Sequence, residues 1–146
     1  MIFFSPRDPN WIIFEDVRLR NVPHVTVWSV DGETKVCNTL YVREEYECKR
    51  IKIPNAPESP ETLWVEVLVN HTKIAIGTLY KAPNIPCTTF HDVYDSLVYI
   101  FSKYDDPILT GDFNVNMLNP ESSDYKHLSD SLIEPFDLKQ IINKPT

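Results

Sequence analysis

Two alternating apolar runs constrain this 146-residue chain more than anything else in it. Leu63, Val65, Val67 and Val69 alternate with Trp64, Glu66 and Leu68, and a second alternating run covers residues 73–80. Period-two alternation is the signature of strands whose side chains point to opposite faces in turn. Only the polar stretch 70–72 separates the runs, so they predict an antiparallel hairpin. Behind it the period changes: Phe90, Val93, Tyr94, Leu97, Ile100 and Phe101 recur at helical spacing. Thr89 and Asp92 stand in capping-box spacing, which predicts the start of that helix. A strand over 108–115 follows, then a helix across Tyr125, Leu128 and Leu132, capped by Ser122 or Ser123 and ended at Pro135, and a last strand over 138–142. This order predicts an α/β (α+β mixed) domain: a mixed sheet with helices packed on it.

The first third is harder to read. Pro6, Pro9 and Pro23 interrupt it. Short strands are expected at 11–14, 25–30 and 39–43, with a turn at Asp31-Gly32, and the proline-rich stretch 54–61 reads as a loop. A chain of this length holds one domain and buries roughly two-thirds of its unfolded surface. With 42% hydrophobic and 24% charged residues it has the composition of a folded protein, not a disordered one. The three cysteines, Cys37, Cys48 and Cys87, form no CxxC pair, so neither a zinc site nor a full disulfide framework is expected. A reducing, intracellular setting follows as the expectation, and no stretch reaches the ~20 apolar residues of a membrane span. The net charge of −7 argues against nucleic-acid binding by a broad basic face. It does not argue against a phosphate-ester substrate brought in through a cation held by acidic residues.

The chain has three glycines, and one of them opens the run Gly111-Asp112-Phe113-Asn114 at the end of the 108–115 strand. On a continuing strand Asp112 and Asn114 share a face, about 6.6 Å apart, while Phe113 and Val115 point into the core. Asn116 shares the polar face if the strand runs on. A carboxylate there can orient a water or hold Mg²⁺, and a carboxamide can donate a hydrogen bond to a phosphoryl oxygen. Gly111 lets backbone come close. Tyr80, where the second hairpin strand gives way to a proline-containing loop, has a phenol able to donate to phosphate while its ring stays packed. Taken singly, both features also read as ordinary structure: a strand-end turn and a half-buried tyrosine.

Taken together, LWVEVLVNHTKIAIGTLYKAPN, the helix, ILTGDFNVNML, the second helix and LKQIINKPT resemble the endonuclease/exonuclease/phosphatase family, and in particular the apurinic-type endonuclease domains carried by non-LTR retrotransposons. The resemblance spans residues 39–146, with 1–38 matching poorly. It implies a four-layer α/β/β/α sandwich with mixed sheets, and Mg²⁺- or Mn²⁺-dependent phosphodiester hydrolysis with DNA as substrate, within a longer parent protein. By the same resemblance Asp112 orients or deprotonates the attacking water and helps hold the metal, Asn114 binds the phosphate, and Tyr80 stabilises its developing charge. Glu15 is the candidate for the family's metal-binding glutamate. It reads equally well as a surface carboxylate, and Asp16 fits the spacing as well.

The family pattern also contains an early asparagine, expected before Met1, and a late Ser-Asp-His segment, expected after Thr146. His24, His71, His91 and His127 lack that context and read as surface residues. Two readings therefore stand: the central portion of a metal-dependent nuclease whose site is completed elsewhere, or a truncated copy, inert or merely interacting, that keeps the strands without the activity.

Overall fold

The hairpin turn sets the register of the whole sheet. In the computed structural model, which describes residues 2–4, 25–29, 39–43, 45–57 and 60–141, Asn70 and His71 both take left-handed backbone conformations, with φ of 49° and 67°. Two consecutive left-handed residues make the turn whose twist matches that of the strands it joins, and asparagine tolerates the conformation best after glycine. The turn is thus two residues long, and Thr72, expected within it, opens the second strand. β5 (Glu61–Val69) and β6 (Thr72–Tyr80) pair along their full length, from Val69 opposite Thr72 to Glu61 opposite Tyr80.

Around this hairpin a six-stranded mixed sheet forms, in the order β4-β5-β6-β7-β1-β8. β4 (Cys48–Ile51) lies antiparallel on β5, and β7 (Ile108–Asp112) lies parallel to β6. The parallel pair requires a crossover, supplied by α1 (Phe90–Phe101). β1 (Ile2–Phe4) runs antiparallel to β7, and β8 (Lys139–Gln140) antiparallel to β1. A separate two-stranded ladder joins β2 (Val25–Ser29) to β3 (Thr39–Arg43).

The alternation in β5 gives the sheet two buried faces. Trp64 faces one side with Ala75, Leu79 and Leu109, and packs on Phe90, Val93, Leu97 and Ile100 of α1 and on Leu128 and Leu132. Leu63, Val65 and Val67 face the other side and pack on Leu40 and Val42 of β3. Each fully buried leucine or isoleucine here contributes about 1.5–3 kcal/mol relative to exposure. The six-membered ring of Trp64 lies over Gly77, its register partner, where a Cβ would stand 2.6 Å from ring atoms.

Several expected boundaries shift. The capping box at Thr89 and Asp92 is not made: Thr89 is itself helical and its hydroxyl donates to Pro86 O at 2.7 Å. A 3₁₀ turn over Cys87–Thr89 leads into α1, so the chain is already coiled where the cap was expected. Ser122 does cap the second helix, α2 (Ser123–Leu128), accepting from Tyr125 N at 3.2 Å. α2 continues as a wider π-type turn over Ser129–Ile133. The last strand is shorter than expected. β4 has no counterpart in the sequence reading, and the opening apolar residues are a strand of the main sheet. The strand expected at 11–14 lies outside the described residues.

Candidate active site

Parallel pairing brings the two sequence-derived features together. The register of β6 on β7 sets Leu79 opposite Gly111 and Tyr80 opposite Asp112, at the ends of both strands. Tyr80 and Asp112 alternate with residues of the helix-side core, Leu79 and Phe113, so their side chains share the sheet face that looks away from the helices. Tyr80 is half-buried and Asp112 is exposed. Gly111 is what lets the strands approach there. Its φ is 140°, and a Cβ would fall 1.9 Å from Leu79 O. No other residue fits that backbone without moving β6.

Beyond Asp112 the strand ends, which corrects the expected run to Val115. Asn114 has φ 47°, so it does not reach the site by strand alternation. It reaches it by a turn. Its backbone N–H donates to Asp112 Oδ1 at 3.1 Å, while its side-chain Nδ2 donates to Lys81 O at 2.8 Å. Lys81 N in turn donates to Asp112 O at 3.0 Å. Two of these hydrogen bonds, Asn114 Nδ2 to Lys81 O and Lys81 N to Asp112 O, lock the segment after β6 to the segment after β7, and the third closes the turn onto Asp112, each contributing about 0.5–1.5 kcal/mol net. Asn116, expected on the same face, instead closes a turn of its own, its Oδ1 accepting from Leu118 N at 3.0 Å. Phe113 points into the core as expected, its ring 6.2 Å from that of Phe90. That contact ties the start of α1 to the site loop.

Lys81 is the residue the sequence reading missed. Only 2% of it is exposed, and its Nζ donates to Ile85 O at 2.9 Å and Ala82 O at 3.3 Å. A buried ammonium needs such acceptors. Here it organises the 82–85 loop, in which Pro83 removes a backbone donor. The available signal was a lysine squeezed between a strand end and a proline loop. The neighbouring Cys87 thiol is pushed up in pKa mainly by burial, with Asp124 adding to the effect and the Lys81 ammonium opposing it.

A cation would find a hard oxygen ligand in the exposed Asp112 carboxylate, which suits Mg²⁺. Among the described residues no group of three His, Cys, Asp or Glu side chains gathers, so further ligands would come from elsewhere in the chain, from substrate or from water. Glu15 and Asp16 lie outside the described residues, as does His24. His71 occupies the hairpin turn. His91 Nδ1 pairs with Ser131 Oγ at 3.0 Å, and its ring stands edge-on to His127 at 6.5 Å. No described helix is long and apolar enough to cross a membrane. No protein-family model, no curated protein and no solved structure matches this chain.

Proposed function

We propose that the ends of β6 and β7 form the centre of a metal-dependent phosphodiester hydrolase site of the endonuclease/exonuclease/phosphatase type, acting on DNA. The observation that carries this reading is the Tyr80–Asp112 register, with Asn114 folded back onto Asp112. Residues 32 positions apart in sequence, picked out by their chemistry, stand side by side on one sheet face. The four-layer sandwich of that family belongs to the same proposal. It is supported by the succession of helices, six-stranded sheet and β2–β3 ladder.

In this reading Asp112 orients or deprotonates the attacking water. The Asn114 amide has two N–H donors, and the one not directed at Lys81 O serves the phosphate. Tyr80 donates its O–H to the oxygen on which charge builds, the kind of preorganised donor whose removal costs on the order of 10²- to 10³-fold in rate. A bound Mg²⁺ or Mn²⁺ supplies neutralisation of the phosphoryl oxygens, and Asp112 is the described residue that would hold it. The two interloop hydrogen bonds and the turn of Asn114 onto Asp112 keep these groups from drifting apart.

Supercoiled plasmid incubated with the purified chain and Mg²⁺, beside Asp112→Ala, tests the reading. Nicking by the wild-type chain that Asp112→Ala loses is expected. Equal nicking by both, or none by either, removes the claim.

A further inference from the structure

The opposite end of the hairpin carries a second polar assembly with no part in the site above. Glu66 on β5 faces the helix side, only 12% exposed, and its Oε1 holds two ammonium groups at once: Lys49 of β4 at 3.2 Å and Lys73 of β6 at 3.5 Å. Its Oε2 accepts from the Tyr104 phenol at 2.6 Å. The hydrogen bond from Tyr104 and the two lysines hold the Glu66 carboxyl below its ordinary pKa, against the effect of burial, so it stays ionised. The carboxylate acts as a pin that keeps Lys49 and Lys73 side by side. Across the hollow Lys103 sits over the Tyr99 ring, 4.2 Å from its centre, and donates to the Tyr99 oxygen at 2.8 Å.

Together these side chains line an open surface hollow of about 390 Å³. Three ammonium groups face one carboxylate there, an excess of positive charge in a chain whose net charge is −7. Both Glu66 oxygens are already engaged, and neither lysine on Glu66 is used up: their side chains are 66% and 61% exposed. The Tyr99 oxygen accepts from Lys103, so its own O–H is directed elsewhere and is available to an incoming acceptor. Lysines act as point charges toward phosphate, and several converging on one spot match its multiple oxygens better than the two of a carboxylate. A single-stranded nucleic acid would instead want open aromatic faces for its bases, and Lys103 already covers a face of Tyr99.

We propose that this hollow is a binding site for a small phosphorylated anion, held by Lys49, Lys73 and Lys103 with the Tyr99 hydroxyl, and independent of the strand-end site. Inorganic pyrophosphate is the probe, titrated at low salt into the intact chain and followed by amide chemical shifts and calorimetry. Shifts should centre on residues 49, 66, 73, 99 and 103. Lys49→Gln/Lys73→Gln should weaken binding about tenfold or more, as expected for charge-assisted hydrogen bonds lost to an anion. Because that pair also leaves Glu66 without its cations, Lys103→Gln, which does not touch Glu66, serves as the second variant and should weaken binding severalfold. Asp112→Ala should leave it unchanged. No saturable response up to about 10 mM probe, shifts centred on Asp112, or full affinity in Lys103→Gln and the double variant would overturn the proposal. Binding of a decathymidylate without binding of pyrophosphate would also overturn it, marking a nucleic-acid tract.

Discussion

Asp112 and Glu66 are carboxylates on the same sheet, and they are built in opposite ways. Glu66 is shielded by its neighbours, with both oxygens engaged by cations and a phenol. Asp112 is exposed, and the neighbour bound to its carboxylate is the backbone N–H of Asn114. Around Glu66 precision comes from side chains. Around Asp112 it comes from backbone: Gly111 pressed on Leu79, Lys81 N on Asp112 O, Asn114 in a left-handed turn. A carboxylate held by cations is neutralised locally. One held by its own loop keeps its charge for solvent, a cation or a substrate.

If the strand-end site rests on backbone, backbone substitutions should hurt it most. Gly111→Ala should cost about 3 kcal/mol or more in thermal unfolding, because a positive-φ conformation open mainly to glycine is combined with a clash against a carbonyl. A melting temperature within a degree or two of wild type would break the comparison, on the scale where 1 kcal/mol shifts a domain of this size by roughly 2–8 °C. Asn114 separates conformation from chemistry. Asn114→Ala should lose about 1–2 kcal/mol through its φ and the lost bond to Lys81 O. Asn114→Gly should recover part of that stability without recovering any activity that needs the amide.

The Glu66 end should respond to pH. Its folded pKa is lowered, so its contribution is fully present above the ordinary carboxylate pKa and is lost as pH falls through the lowered folded value. The stability gap between wild type and Glu66→Gln, about 1–2 kcal/mol near neutrality, should therefore close on acidification in a series of chemical melts. A gap that persists into strong acid would mean that packing, not charge, makes the difference. The smallest effect belongs to the rim: Lys73→Gln alone should change stability by about 0.2–1 kcal/mol, as for exposed ion pairs generally.

The residues explain which of these features were legible in advance. The hairpin could be read because Leu63, Val65 and Val67 meet one layer while Trp64 meets another, leaving an apolar run too regular for anything but a strand. β4 could not, because as an edge strand it carries Lys49 and Arg50, and its partner β5 supplies the burial. Likewise β1 is a three-residue piece whose pairing with β7 depends on a contact over a hundred residues away. At the candidate site the strand periodicity of the sequence did not contain the observed geometry. Asp112 and Asn114 do meet, but through a left-handed turn that strand periodicity does not contain. Lys81 escaped notice because lysine is almost never buried, and the carbonyls of Ala82 and Ile85 that make it tolerable exist only once the loop is folded.

The central claim is that Tyr80 and Asp112 work as one site, and a double-mutant cycle on Mg²⁺-dependent plasmid nicking tests it most directly. Groups that act as a unit are not additive. Asp112→Asn should lower the rate on the order of 10²- to 10³-fold and Tyr80→Phe by a smaller factor, with the double variant no slower than Asp112→Asn alone. Full activity in Asp112→Asn, or losses that simply multiply in the double variant, would contradict it.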